Sequence, residues 1–244
     1  MIPQKEAISQ TAYYAVAVFI ATVVEIPGRA MFQILNPMVA KAINNNDFNN
    51  LNDLYQRSSS NLLIICGFFF LLINLNIISF YKLMNNEFYS DAILVVLIIS
   101  IAKLIQMSFG CGPAILATSS FYKITLPFSI SMAISVYFLN DYLIDLYGIN
   151  GAAISTLIVL LLFTILKVLY INFKLKIHPY NLNTIKIISI ICLVYFVFGL
   201  FQLDFDPLFN IILKSIFISL VYISLVYFLK LSKTINNTID SLIK

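Results

Sequence analysis

Charge is scarce in this chain. Of 244 residues only 11% are Asp, Glu, Lys or Arg, while 61% are hydrophobic and 14% aromatic. A soluble domain carries about 25% charged and roughly 45–50% apolar residues, so this composition cannot furnish a water-facing surface. It describes an integral membrane protein. The net charge of +4 is small and scattered, which excludes a nucleic-acid surface. Cysteine and histidine are equally sparse. Cys66, Cys111 and Cys192 share no C-x-x-C spacing, and the one histidine, His178, stands beside Pro179. Neither a disulfide framework nor a metal centre is expected. Catalytic signatures are missing too: there is no Gly-rich phosphate loop, H-E-x-x-H, G-x-S-x-G or carboxylate cluster. Asp141 and Asp145 have helical i,i+4 spacing, but a hydrated span end accounts for them more simply than an acid/base or cation site. The reading is a non-enzyme without cofactor.

What is abundant is long apolar runs. A helix crossing the hydrocarbon core needs about 20 mostly apolar residues. Seven stretches qualify: 13–38, 61–81, 92–110, 124–143, 149–173, 184–203 and 207–230. The fold expected is all-α, a polytopic transmembrane helix bundle of about seven spans. The two tails and six loops leave no room for a soluble domain, and 39–60 is the longest connector. Glu25, Pro27, Gly28 and Arg29 interrupt the first stretch, which argues against a signal peptide. Turn signals separate the spans: Asn44-Asn45-Asn46-Asp47, Asn85-Asn86-Glu87 and His178-Pro179-Tyr180-Asn181.

Short cytoplasmic loops are enriched in Lys and Arg. Loops one, three and five with the C-terminal tail hold Lys41, Arg57, Lys123, Lys174, Lys176, Lys230, Lys233 and Lys244; the other side holds Lys5 and Lys82. This predicts a cytoplasmic C-terminus and an external N-terminus. Asp141, Asp145, Asp204 and Asp206 then fall outside, which agrees but weighs little.

Ionisable residues inside a span cost roughly 2.5–3.5 kcal/mol each on insertion scales, so they face a bundle interior or a watery cavity. Glu25 and Arg29 are four apart, on one helical face with Gln33 a turn further along. They form either a self-neutralising pair against a neighbouring helix or part of a cavity lining. Lys103 has no acidic residue three or four positions away, and Ser100, Gln106, Met107 and Gly110 share its face. Its ammonium must meet water, a carboxylate on another helix such as Glu25, or an anionic substrate. Pro27 and Pro37 favour a kink or break in the first span. Gly110-Cys111-Gly112-Pro113 ends the third, as a flexible joint or as ordinary termination. Such breaks border substrate paths in transporters but also occur in structural spans.

Several segments together resemble a known family. They are Tyr13-Tyr14-Ala15-Val16-Ala17 running to Pro27, Gln33-Ile34-Leu35-Asn36-Pro37, and Leu51-Asn52-Asp53-Leu54-Tyr55-Gln56-Arg57. Further on come Gly110-Cys111-Gly112-Pro113-Ala114-Ile115-Leu116, Leu139-Asn140-Asp141-Tyr142-Leu143-Ile144, and Tyr147-Gly148-Ile149-Asn150-Gly151-Ala152-Ala153. In order and spacing these are similar to the C-terminal half of the Wzx-type polysaccharide flippases, a MATE-like branch of the multidrug/oligosaccharidyl-lipid/polysaccharide exporter superfamily. The likeness covers residues 10–173.

The resemblance implies that 1–173 is a partial C-terminal lobe of five spans and that 174–244 adds two transmembrane helices and a cytoplasmic tail. It implies an inner-membrane transporter component that flips an undecaprenyl diphosphate-linked oligosaccharide, in contact with membrane lipids. The missing N-terminal lobe would be supplied in cis or in trans. By burial and charge, Arg29, Lys103, Gln106 and Gln33 are the candidate substrate contacts and Glu25 the candidate ion-pair or coupling residue. Pro27, Pro37, Gly110, Gly112 and Pro113 are candidate breaks or gates. A membrane-embedded glycan- or lipid-transfer enzyme would need polar residues clustered at one membrane face, and a receptor-like seven-helix protein rests on span count alone.

Overall fold

Long apolar runs with few interior glycines and prolines form helices, and short polar motifs decide where they stop. The computed structural model describes residues 4–84, 92–201 and 206–243; the expected turn at Asn85-Asn86-Glu87, Asp204 and the tail cation Lys244 lie outside these. The helices are α1 (Gln4–Thr22), α2 (Ile26–Asn44), α3 (Phe48–Leu83), α4 (Ile93–Ser108), α5 (Gly112–Thr118), α6 (Thr125–Tyr147), α7 (Ile149–Leu175), α8 (Leu182–Leu200), α9 (Pro207–Phe228) and α10 (Lys233–Ile243). Among the described residues six helical segments are long and apolar enough to cross a membrane. A seventh is counted if α4 and α5, bent by 53° to each other, form one broken span. The chain is an all-α, multi-pass membrane protein.

The expected long connector at 39–60 is corrected. Only a tight turn at Asn45–Asp47 separates α2 from α3, with Asn46 at a φ of 54° and the Asp47 carboxylate accepting from the Asn50 amide at 3.1 Å. Residues 48–60 are the first turns of α3, whose 36 residues extend about 54 Å at 1.5 Å per residue. That exceeds the roughly 30 Å hydrocarbon core, so the polar N-terminal turns project beyond it. At the other polar junction, Asn181 and Thr184 form a reciprocal capping box that starts α8.

α3 is the hub, packed against α2, α4, α8 and α9. α4 joins it to α1 and α7, and α6 packs on α7 at the periphery. Three buried clusters run along the bundle. One joins Ala17 and Ala21 to Ile77, Val95 and Ile99. The largest joins Val24, Leu62, Cys66, Leu71 and Met107 to Ile187, Ile191, Ile218 and Tyr222, so the last two spans share a core with α3. The third joins Val39 and Ala42 to Leu51, Tyr55, Phe109, Ile115 and Ile171.

Loops one, three and five and the tail gather at one end. The His178 amide donates to Asn52, the Asn183 amide group to the Leu231 carbonyl, and Ser232 Oγ to Asn61. Phe121 stacks edge-on to Tyr170 in the same region. The side assigned by charge is therefore one contiguous face.

Candidate functional site

The first membrane segment changes character at Val23–Glu25, a short 3-10 turn between α1 and α2. Pro27 follows in the first turn of α2, where its missing N–H leaves no bond broken. The interruption thus lies just before Pro27. Pro37 is inside α2, which continues past it to Asn44.

This turn carries Glu25 toward α4. Gly28 permits the approach: a Cβ there would come within 2.6 Å of Met107 Sδ. With the helices so close, Lys103 Nζ lies 2.9 Å from Glu25 Oε2, while Arg29 Nη2 donates to Glu25 Oε1 at 2.6 Å. One carboxylate therefore serves two cations from two helices. The side chain of Glu25 is 11% exposed and that of Lys103 20%, but that of Arg29 is 69%. Of the partners open to Lys103 from the sequence, the carboxylate of Glu25 is the one in place.

The group holds two positive charges and one negative, and its surplus sits at the exposed guanidinium. Arg29 and Gln33 lie on an exposed stripe of α2 that continues through Asn36 and Pro37 to Lys41. A polar stripe on a membrane-crossing helix requires water, another polypeptide or an anionic ligand beside it, because lipid tails accept no hydrogen bonds. Gln106, a turn beyond Lys103, is half-buried and its Oε1 has no hydrogen-bond partner in the protein. Ser100 Oγ, on the same face of α4, is buried in the same condition.

The break between α4 and α5 is built from α3. Gly110 has a φ of 58°, and a Cβ there would meet Ser58 Oγ at 2.7 Å and the Ser59 backbone nitrogen at 2.8 Å. Only glycine fits both the left-handed conformation and the space. Ser59 Oγ donates to the Ser108 carbonyl at 2.6 Å, and Ser58 Oγ accepts from the Cys111 amide at 2.9 Å. Backbone groups freed by the bend are thus satisfied by a neighbouring helix, the condition for breaking a helix inside a membrane. Gly112 and Pro113 open α5, with Gly112 against the Phe109 ring. The joint is pinned, with Tyr180 Oη 3.2 Å from Ser108 Oγ behind it.

Sequence reasoning brought Glu25 and Arg29 together but missed Ser58, Ser59 and Ser60. Their signal was a run of hydroxyls at the head of an apolar stretch, the small polar residues that mediate helix contacts in lipid. Comparison with protein-family models, with curated proteins and with solved structures found no match.

Proposed function

We infer that this chain is a component of a membrane transporter for an anionic amphiphile, in the manner of the Wzx-type flippases it resembles. The substrate of that reading is an undecaprenyl diphosphate-linked oligosaccharide, moved from the cytoplasmic to the outer leaflet of the inner membrane. A further lobe, in cis or in trans, forms the other wall of the path. The observation that supports it is Arg29: an exposed guanidinium on a membrane-crossing helix, held by a buried carboxylate that a second cation, Lys103, also engages. Positive potential in a low-dielectric setting favours diphosphate or acidic sugar, and Arg binds such groups with paired donors. Gln33 extends the same polar stripe. Lys103 acts through Glu25, holding the carboxylate that anchors Arg29 in place.

Complementation of a flippase-deficient cell tests this reading, with the chain supplied together with an N-terminal flippase lobe, fused or separate. Surface glycan should return. Arg29→Gln should lower it strongly at unchanged protein level, because Glu25 remains paired with Lys103. Glu25→Gln should instead lower the protein level, since it strands the mostly buried Lys103, at a cost of about 3–5 kcal/mol for an unpaired buried charge. Full activity of Arg29→Gln would overturn the assignment.

A further inference from the structure

A second site lies away from Glu25, at the end of the bundle that carries Arg57. α10 is an amphipathic helix following the last span. Its Ile235 and Ile239 point inward over a groove of about 460 Å³ between α3 and α9, bounded by Ile64, Phe68 and Tyr222. It is held there by the Asn236 side-chain amide donating to the Tyr227 carbonyl at 2.9 Å and by Tyr227 Oη donating to Asp240 at 2.7 Å. The groove is apolar and large enough for a chain-like ligand.

Beside it is a smaller cavity, about 170 Å³, of opposite character. Arg57, Lys233, Ser60, Asn181 and Asn183 line it together with Asp53. The two share Asn61 and Thr234 in their walls, so the apolar groove and the polar cavity lie side by side. Two cations against one carboxylate leave the polar cavity with a net charge of one positive. Arg57 spends its Nε on Asp53 at 2.8 Å, and a guanidinium has further donors to give. Ser60 supplies an independent sign. It is 5% exposed, lines the polar cavity, and its Oγ has no hydrogen-bond partner in the protein. Buried hydroxyls are normally paired, so this one calls for an acceptor or donor from outside the chain.

We propose that this composite site holds one anionic glycerophospholipid of the adjacent leaflet. An acyl chain lies in the groove under α10, and the phosphate lies in the polar cavity between Arg57 and Lys233 with Ser60 donating to it. Basic cavities between spans, at the level of the headgroups, suit that ligand, and an interfacial amphipathic helix covers its apolar part. The inference is independent of transport, since it uses neither Arg29 nor Lys103.

The test uses the full chain purified in mild detergent, with lipid binding counted by native mass spectrometry. Dioleoyl phosphatidylglycerol should bind about tenfold more tightly than dioleoyl phosphatidylcholine, the advantage expected for one to two cations near a phosphate. The double substitution Arg57→Gln, Lys233→Gln should abolish that preference, and Ser60→Ala should reduce it about threefold. Arg57 and Lys233 are exposed, and Ser60→Ala removes a hydroxyl without a protein partner, so both variants should keep the wild-type thermal midpoint in lipid-free detergent. Ile223→Trp, which fills the groove, should weaken both lipids. Glycerol 3-phosphate at millimolar concentration should not displace the lipid. Equal affinity for the two lipids, a preference untouched by the double substitution, or displacement by glycerol 3-phosphate would overturn the proposal.

Discussion

α3 and α6 are both apolar helices long enough to cross a membrane, yet they occupy opposite positions in the bundle. α3 buries residues along its whole length, from Leu51 to Tyr81, whereas α6 has no buried residue among those described. Mean hydropathy separates them in the expected direction, 2.5 against 1.3 over their best windows, but both values suit a lipid-facing helix. Their polar residues are more informative. On α3, Ser58 and Ser59 bond to the α4–α5 joint, Asn61 to Ser232, and Asn76 to Ser215 of α9. On α6, Ser129 and Ser135 donate to carbonyls of their own helix, Thr125 and Ser131, and the one cross-helix bond among the described residues is Asn140 accepting from Ser155 of the adjacent α7. In lipid, hydrophobicity does not distinguish inside from outside, because tails are as apolar as leucine. Small and polar side chains that reach across to another helix mark the interior.

The sharpest way to break this contrast is a pair of glycines with the same left-handed φ of 58°. Gly110→Ala adds a clash with Ser58 and Ser59 to the backbone strain and should cost about 3 kcal/mol. Gly148→Ala, between α6 and α7, meets nothing within 4 Å and should cost only the backbone strain of its φ of 58° and ψ of −136°, about 1–3 kcal/mol. Thermal midpoints in detergent should fall further for the first, and equal losses would show that the joint is not pinned by α3.

Ser59→Ala should cost about 1–3 kcal/mol by leaving the Ser108 carbonyl buried without its donor. Chemical unfolding in mixed micelles would read this, and Ser59→Thr, which keeps the hydroxyl, should recover part of it. Smaller still is Asn76→Ala, which removes a bond of 3.1 Å to Ser215 between α3 and α9. Interhelical bonds of this kind average about 0.6 kcal/mol, and Asn76 also donates to the Leu72 carbonyl of its own helix, so a loss above about 2 kcal/mol would mean that Asn76 organises more than these two bonds. Ser135→Ala on α6 should stay within about 0.5 kcal/mol of the wild type, since its partner belongs to its own helix. A large loss there would place α6 against another surface.

Most of the architecture was legible locally. Six of the seven apolar stretches match candidate spans, and the third matches the bent α4–α5 pair. The Glu25–Arg29 pair followed from i,i+4 spacing, and Gly110 marked the break. The segment 39–60 was misread because its asparagines signal solvent, whereas Leu51 and Tyr55 among them are fully buried. A helix emerging from the membrane keeps packing on one face after its other face has turned polar. The tail likewise gave no sign that α10 folds back over α3 and α9.

The sequence by itself determined the apolar environment, the six to seven candidate spans and most of the places where helices stop, because apolar run length, caps and glycine act over a few residues. The tertiary structure decided which stripe of each helix is inside and which charges meet. Lys103 reaches Glu25 where Gly28 sits against the Met107 side chain, and Ser58 and Ser59 complete a backbone some fifty residues away. Spacing along one helix carries no information about such contacts. They depend on how far apart two helices lie and how each is rotated, and both are set by the side chains of several helices together.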